Sequence, residues 1–138
     1  MQLGKVPDKA LEYPLPSATD SARMESEAEA EFQAGNFAAA ERNFRKILPT
    51  THFRALVGFQ IFLCLLKQGK TAEAELLARN FPTSAAAKNP SGSYALAAIA
   101  LSQGRSDDAL QLVENARRRF PLTSPLYDKA LSEASLKP

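Results

Sequence analysis

Gly35-Asn36-Phe37-Ala38-Ala39-Ala40, Gly69-Lys70-Thr71-Ala72-Glu73-Ala74 and Gly104-Arg105-Ser106-Asp107-Asp108-Ala109 are three versions of one six-residue stretch. Each opens on glycine and closes on alanine, and the glycines stand 34 and 35 residues apart. Glycine tolerates the left-handed conformation that follows a last helical turn, so each is read as a helix stop. A fixed period of this length with helical flanks marks an array of stacked helix pairs.

Outward from these turns the helices follow. Ser21 to Ala34 is rich in Ala and Glu, the strongest helix formers, and Asp20 or Ser21 can cap it. Phe37, Ala40, Phe44 and Ile47 recur at three- and four-residue intervals, and Pro49 stops that second helix. A third runs from a Thr50 or Thr51 cap to Gln68, and a fourth from Ala72 to Arg79. Phe81 to Pro90 reads as a loop. The fifth helix starts at Asn89-Pro90 and ends at Gln103, the sixth follows Ser106, and Ser124-Pro125 opens a seventh. No alternation of period two competes, so the expected class is all-α.

Composition narrows the functional classes. The chain has 138 residues, a net charge of +2 and a hydrophobic content of 45%, in the range of one globular domain. So mild a charge argues against nucleic acid or an anionic membrane as partner. No apolar run approaches the roughly 20 residues of a membrane span, and the start does not resemble a secretory signal. The single cysteine, Cys64, excludes an internal disulfide and reads as a small core residue. His52 is the only histidine, which leaves a metal cluster or a His-based dyad without members. With no phosphate loop or nucleophile motif, the expectation is a non-enzyme without metal or cofactor. Residues 1–20 read as a tail broken by Pro7, Pro14 and Pro16, yet Leu3, Val6, Leu11, Tyr13 and Leu15 make it apolar enough to pack somewhere.

With turns, alanines and helices in this phase, the chain resembles the tetratricopeptide repeat (TPR) family over residues 21–121. The family places a small residue in the inter-helix turn, another five later and a large apolar residue one turn on. Those roles fall to Gly35, Ala40 and Phe44, to Gly69, Ala74 and Ala78, and to Gly104, Ala109 and Val113. Seven residues before the glycine Ala28 and Ala97 comply, whereas Phe62 departs and implies looser or shifted packing in the second repeat. The early aromatic is replaced by Met24, Gly58 and Ser93.

The resemblance implies a right-handed superhelix of three repeats, about 21–49, 51–82 and 90–121, with a capping helix over 124–135. The endings Phe81-Pro82-Thr83-Ser84 and Phe120-Pro121-Leu122-Thr123-Ser124 are similar to repeats of bacterial cell-envelope members and of cytoplasmic ones, so both compartments stay open.

Such arrays bind partner segments on the first helix of each pair, which implies a groove of Glu25, Glu29 and Phe32, then Phe59, Leu63 and Leu66, then Tyr94, Ala98 and Leu101. The Lys and Asn of the family's carboxylate clamp are missing. The resemblance therefore implies an adaptor for an apolar protein or peptide segment; the alternative is a homodimeric assembly module using the same face.

The third helix sharpens the expectation. Ala55 to Leu66 is apolar nearly all round, and such a helix is covered on every side. It is either plain core or a groove floor covered by a partner segment, a second copy or the N-terminal tail. Arg117-Arg118-Arg119 reads as cations offsetting a helix dipole rather than a phosphate site, and Glu25, Glu27, Glu29 and Glu31 as a solvated helix start.

Overall fold

The computed structural model describes residues 18–137. The expected packing of Leu3, Val6, Leu11, Tyr13 and Leu15 falls outside the described residues. Within them the protein is all-α, with seven helices and no strand. These are α1 (Ala18–Gln33), α2 (Phe37–Ile47), α3 (Arg54–Lys67), α4 (Thr71–Ala78), α5 (Ser91–Ser102), α6 (Ser106–Arg119) and α7 (Ser124–Glu133).

The three repeated stretches fold into one turn used three times. Gly35, Gly69 and Gly104 have φ of +82°, +78° and +77°, the left-handed region. An added Cβ would meet nothing within 4 Å at any of them, so backbone conformation and not space demands glycine. Each turn closes with the same pair of bonds. The glycine N–H donates to Phe32, Leu66 or Leu101, all at 3.1 Å. The next N–H donates to Glu31, Leu65 or Ala100, at 2.8, 2.9 and 2.8 Å. This double bond satisfies carbonyls that a helix end leaves orphaned. The following helix starts at once, and Ala40, Ala74 and Ala109 are each completely buried where it meets its predecessor.

Several boundaries differ from expectation. α1 starts at Ala18, earlier than Ser21, because Pro16 is the last residue that bars a helix. α3 starts at Arg54, and Thr51 Oγ1 accepts instead from the Phe53 N–H in the loop, at 3.1 Å. At α5, Asn89 Oδ1 accepts from the Ser91 N–H at 3.0 Å and the Ser91 hydroxyl at 2.6 Å.

α3 lies at the centre. From Val57 to Leu65 all its side chains but the missing one of Gly58 are buried, and it packs on α2, α4, α5 and α7. The departures in the second repeat compensate each other. Phe62 is fully buried, edge-on to Phe81 with centroids 6.1 Å apart, and Phe81 also approaches the space left by Gly58. Packing at Phe62 is thus not loosened; the shift is taken up beyond it, where the short α4 touches α5 sparsely and residues 79–90 form the connection. Arg119 fastens that connection by donating to the carbonyls of Ser84 at 3.1 Å, Ala87 at 3.0 Å and Ala85.

The loop presses close on α5 at Gly92, where an added Cβ would lie 2.6 Å from Thr83 Cγ2 and 2.8 Å from the Pro82 carbonyl carbon. Gly92→Ala is therefore expected to cost about 1–3 kcal/mol, as overpacking does. At Gly58 the nearest atom is Phe81 Cε1 at 3.7 Å, an ordinary contact. Gly58→Ala is expected to be neutral or stabilising by about 0.5–1 kcal/mol. In urea melts the Gly92→Ala midpoint should fall, while that of Gly58→Ala should stay or rise.

Candidate functional site

The expected groove positions do come together, but mostly as interior. Phe32, Phe59, Leu63, Tyr94 and Ala98 have no exposed surface. Glu25, Glu29, Leu66 and Leu101 are half-buried. At Phe59 and Leu63 α3 is core, one of its two expected readings, and α7 packs over Phe59 and Tyr94. The Tyr127 ring of α7 packs at a tilt against Phe59, 5.2 Å between centroids, and against Tyr94, 5.4 Å. Ala130, Leu131 and Ala134 are buried with it. Among the described residues, the chain's own last helix covers this part of α3.

Polar bonds fix α7 to helices from the first to the last pair. Gln33 Nε2 of α1 donates to Glu133 Oε2 at 3.0 Å. The Tyr94 hydroxyl of α5 donates to Asp128 Oδ1 at 2.9 Å. Arg117 of α6 grips both oxygens of Asp128, each at 3.0 Å, a bidentate fit that a planar guanidinium suits. Ser124 Oγ donates to the Ala116 carbonyl at 3.1 Å in the buried corner between α6 and α7. The arginine run occupies the last turn of α6, where cations offset the helix dipole, and each member also makes a specific bond. Arg117 ties down α7, Arg118 donates to Asn115, and Arg119 holds the long loop while its guanidinium stacks 4.9 Å from the Phe120 ring.

The glutamates are likewise more than a solvated helix start. Glu29 accepts from Gln60 Nε2 of α3 at 2.6 Å, and Glu31 from Asn43 Nδ2 of α2 at 2.6 Å. Glu25 accepts weakly from Thr51 Oγ1 at 3.4 Å, and only Glu27 pairs along its own helix, with Arg23 at 3.2 Å. Burial, opposed by the Gln60 hydrogen bond and reinforced by nearby Glu133, raises the Glu29 carboxyl above its usual range.

Chemistry at reactive groups is suppressed. Burial, with a smaller push from Glu41 and Glu29, lifts the Cys64 thiol to about 12, so it is no nucleophile at neutral pH. Burial also takes Tyr94 and Tyr127 to about 12. Among the described residues no group of three or more His, Cys, Asp or Glu could hold a metal ion, and no helix is long and apolar enough to cross a membrane.

Two adjoining clefts lie near the start of α3. A cleft of about 320 Å³ is bounded by Ser21, Ala22 and Glu25 of α1, Ile47 of α2, and Thr50, Thr51, His52 and Phe53 of the connection. A second, of about 170 Å³, shares His52 and Phe53 and extends to Leu56 of α3 and Leu126 and Tyr127 of α7. Phe53 stands at both with 56% of its surface exposed, and Leu126 with 44%. Of these residues the repeat phase marked only Glu25. Phe53 and His52 lie in an inter-repeat connection, and Leu126 joins them only because α7 folds back. The chain matches no family model, no curated protein and no solved structure in comparisons with known proteins.

Two outcomes follow from this geometry. Leu63→Glu places an unpaired charge in full burial and is expected to cost about 3–5 kcal/mol, so it should unfold the domain, whereas Leu66→Glu, with its half-exposed site, should leave a cooperative melt. For Glu29 the sign follows from a raised carboxyl. The folded chain keeps its proton where the unfolded chain has lost it, so this contribution is complete below about pH 4.5 and fades toward neutrality. Glu29→Gln should then raise the melting temperature at pH 7 and flatten its dependence between pH 4 and 7.

Proposed function

We propose that this chain is a protein-interaction module of the tetratricopeptide class, its helix pairs stacked as a short right-handed superhelix, which holds a partner segment at the mouth of its groove. The class reading is supported by three turns of one hydrogen-bond pattern, each followed by a fully buried alanine. One observation carries the functional reading: Phe53 stands exposed between two adjoining clefts, with Leu126 beside the second. Half-exposed aromatic and aliphatic side chains flanking pockets are what a partner's apolar anchors bury against. Because α7 fills the groove floor, the binding surface shifts from Phe59, Leu63 and Tyr94 to His52, Phe53 and Leu126, with Glu25 at the rim.

The partner that fits is a short segment with one or two apolar side chains, since the clefts hold side chains rather than a whole helix. Self-association through the same exposed Phe53 and Leu126 is the competing reading, and it predicts a mass that rises with concentration in sedimentation.

The test is peptide selection from a random display library against the folded chain. Peptides so recovered should bind a Phe53→Ser/Leu126→Ser variant at least about tenfold more weakly, equivalent to about 1.4 kcal/mol. Its melting temperature should stay near that of the parent, because both side chains are largely outside the core. Equal binding to parent and variant would sink the assignment of the surface.

A further inference from the structure

The apolar clefts adjoin a group of carboxylates that is short of positive charge. Glu29 of α1 is half-buried, and Glu25, Glu133 and Lys129 stand close enough to act on it. Glu25 comes from the preceding turn of α1 and lines the larger cleft. Glu133 and Lys129 belong to α7 and pair with each other at 3.7 Å. Three carboxylates thus share one ammonium, which is already engaged. Among the described residues no lysine or arginine lines the larger cleft. Arg54, on the second, donates to the Leu48 carbonyl at 2.8 Å.

Gln60 of α3 adds a second, independent observation. It is 3% exposed and donates to Glu29 at 2.6 Å, while its side-chain carbonyl oxygen accepts no hydrogen bond among the described residues. A buried acceptor in that position calls for a donor. Glu25 and Glu29 are four residues apart on α1, as Leu56 and Gln60 are on α3, so each pair shares a helix face. Glu25 and Leu56 line the clefts, and Glu29 and Gln60 follow one turn further along.

We propose that the partner segment carries a lysine or arginine, seated at Glu25 and Glu29, beside an apolar side chain packed on Phe53 and Leu126. The ammonium or guanidinium supplies the missing countercharge and N–H donors for the Gln60 carbonyl. Desolvation outweighs the Gln60 hydrogen bond in raising the Glu29 carboxyl, so its charged form is under-compensated as the chain stands. The carboxylates do not form a group that could hold a metal ion, which leaves an organic cation as the fitting one. An acidic segment would instead bring like charge to this end of the clefts. Because Glu25 and Phe53 line the same cleft, the cation and the apolar anchor lie within a few residues of each other on the partner. In naming the chemistry of the partner, the inference rests on the surface proposed above.

The test uses three libraries of acetylated, amidated octapeptides. Each has phenylalanine or leucine at one fixed position; a nearby fixed position is lysine or arginine in the first, aspartate or glutamate in the second, and norleucine in the third. The libraries compete in equal amounts for the full chain, and retained peptides are counted by mass spectrometry. The cationic library is expected to be retained about tenfold over the acidic one at low salt, an advantage that shrinks as salt rises. A Glu25→Gln/Glu29→Gln variant, checked for a cooperative melt, should keep the apolar preference and lose the preference for charge. Retention that depends on Phe53 but is equal across the libraries, or favours the acidic one, would overturn this inference and leave the partner surface standing. A cation preference that survives Glu25→Gln/Glu29→Gln would overturn it too, by placing the charge contact elsewhere. No retention, or retention that Phe53→Ser/Leu126→Ser leaves unchanged, would remove the surface and this inference together. Retention that fades as chain concentration rises would do the same, giving the clefts to a second copy.

Discussion

The structure depends on one constraint: α3 has no polar face. From Val57 to Leu65 each side chain, Gln60 included, must leave water, and four other helices are needed to accomplish it. Burying a large apolar side chain is worth about 1.5–3 kcal/mol, so any face of α3 left uncovered would take away a large part of the net stability of a domain this size. α2 and α4 cover two sides through their short turns, and α5 returns across the long connection to cover a third. The remaining side is closed by α7, whose Tyr127 completes an aromatic cluster with Phe59 and Tyr94.

Closing α3 in this way has a polar cost that the chain meets with few groups. Asp128 is placed so that one carboxylate serves both the Tyr94 hydroxyl and the Arg117 guanidinium, joining three helices at one point. Gln60, the buried polar residue of α3, finds Glu29. That pairing leaves a half-buried carboxylate, and its burial, with a smaller push from Glu133 of α7, raises the Glu29 carboxyl. Cohesion and repulsion are thus set by the same helix.

What could be read from the residues divides along physical lines. The three turns were legible because a left-handed backbone position selects glycine, and the buried alanines because close helix approach selects a small side chain. Both requirements are local and leave their mark at a fixed distance in sequence. The apolar wrap of Ala55 to Leu66 also announced that something must cover it. Which segment does so was not legible, since Tyr127 and Leu131 have the same spacing in a helix that caps an array as in one that folds back across it. Periodicity likewise could not separate floor from core, so Phe59 and Leu63 read as ligand positions. The exposed Phe53 carried no signal of its own, being a single aromatic in a connection, and Arg119 gave no hint that its partners are loop carbonyls.

Cys64 sits near the middle of α3, is the chain's one thiol, and is held protonated by its burial. A thiol so placed reacts only in the moments when the packing around it opens. Under conditions where reclosing outpaces reaction, its modification rate is the product of an opening equilibrium and the rate of an exposed thiol. The residue is chemically silent in the native state, and for that reason it acts as a clock. It counts how often the helices around α3 separate, and comparing that count with global unfolding would tell whether the helical domain opens as one body or piece by piece.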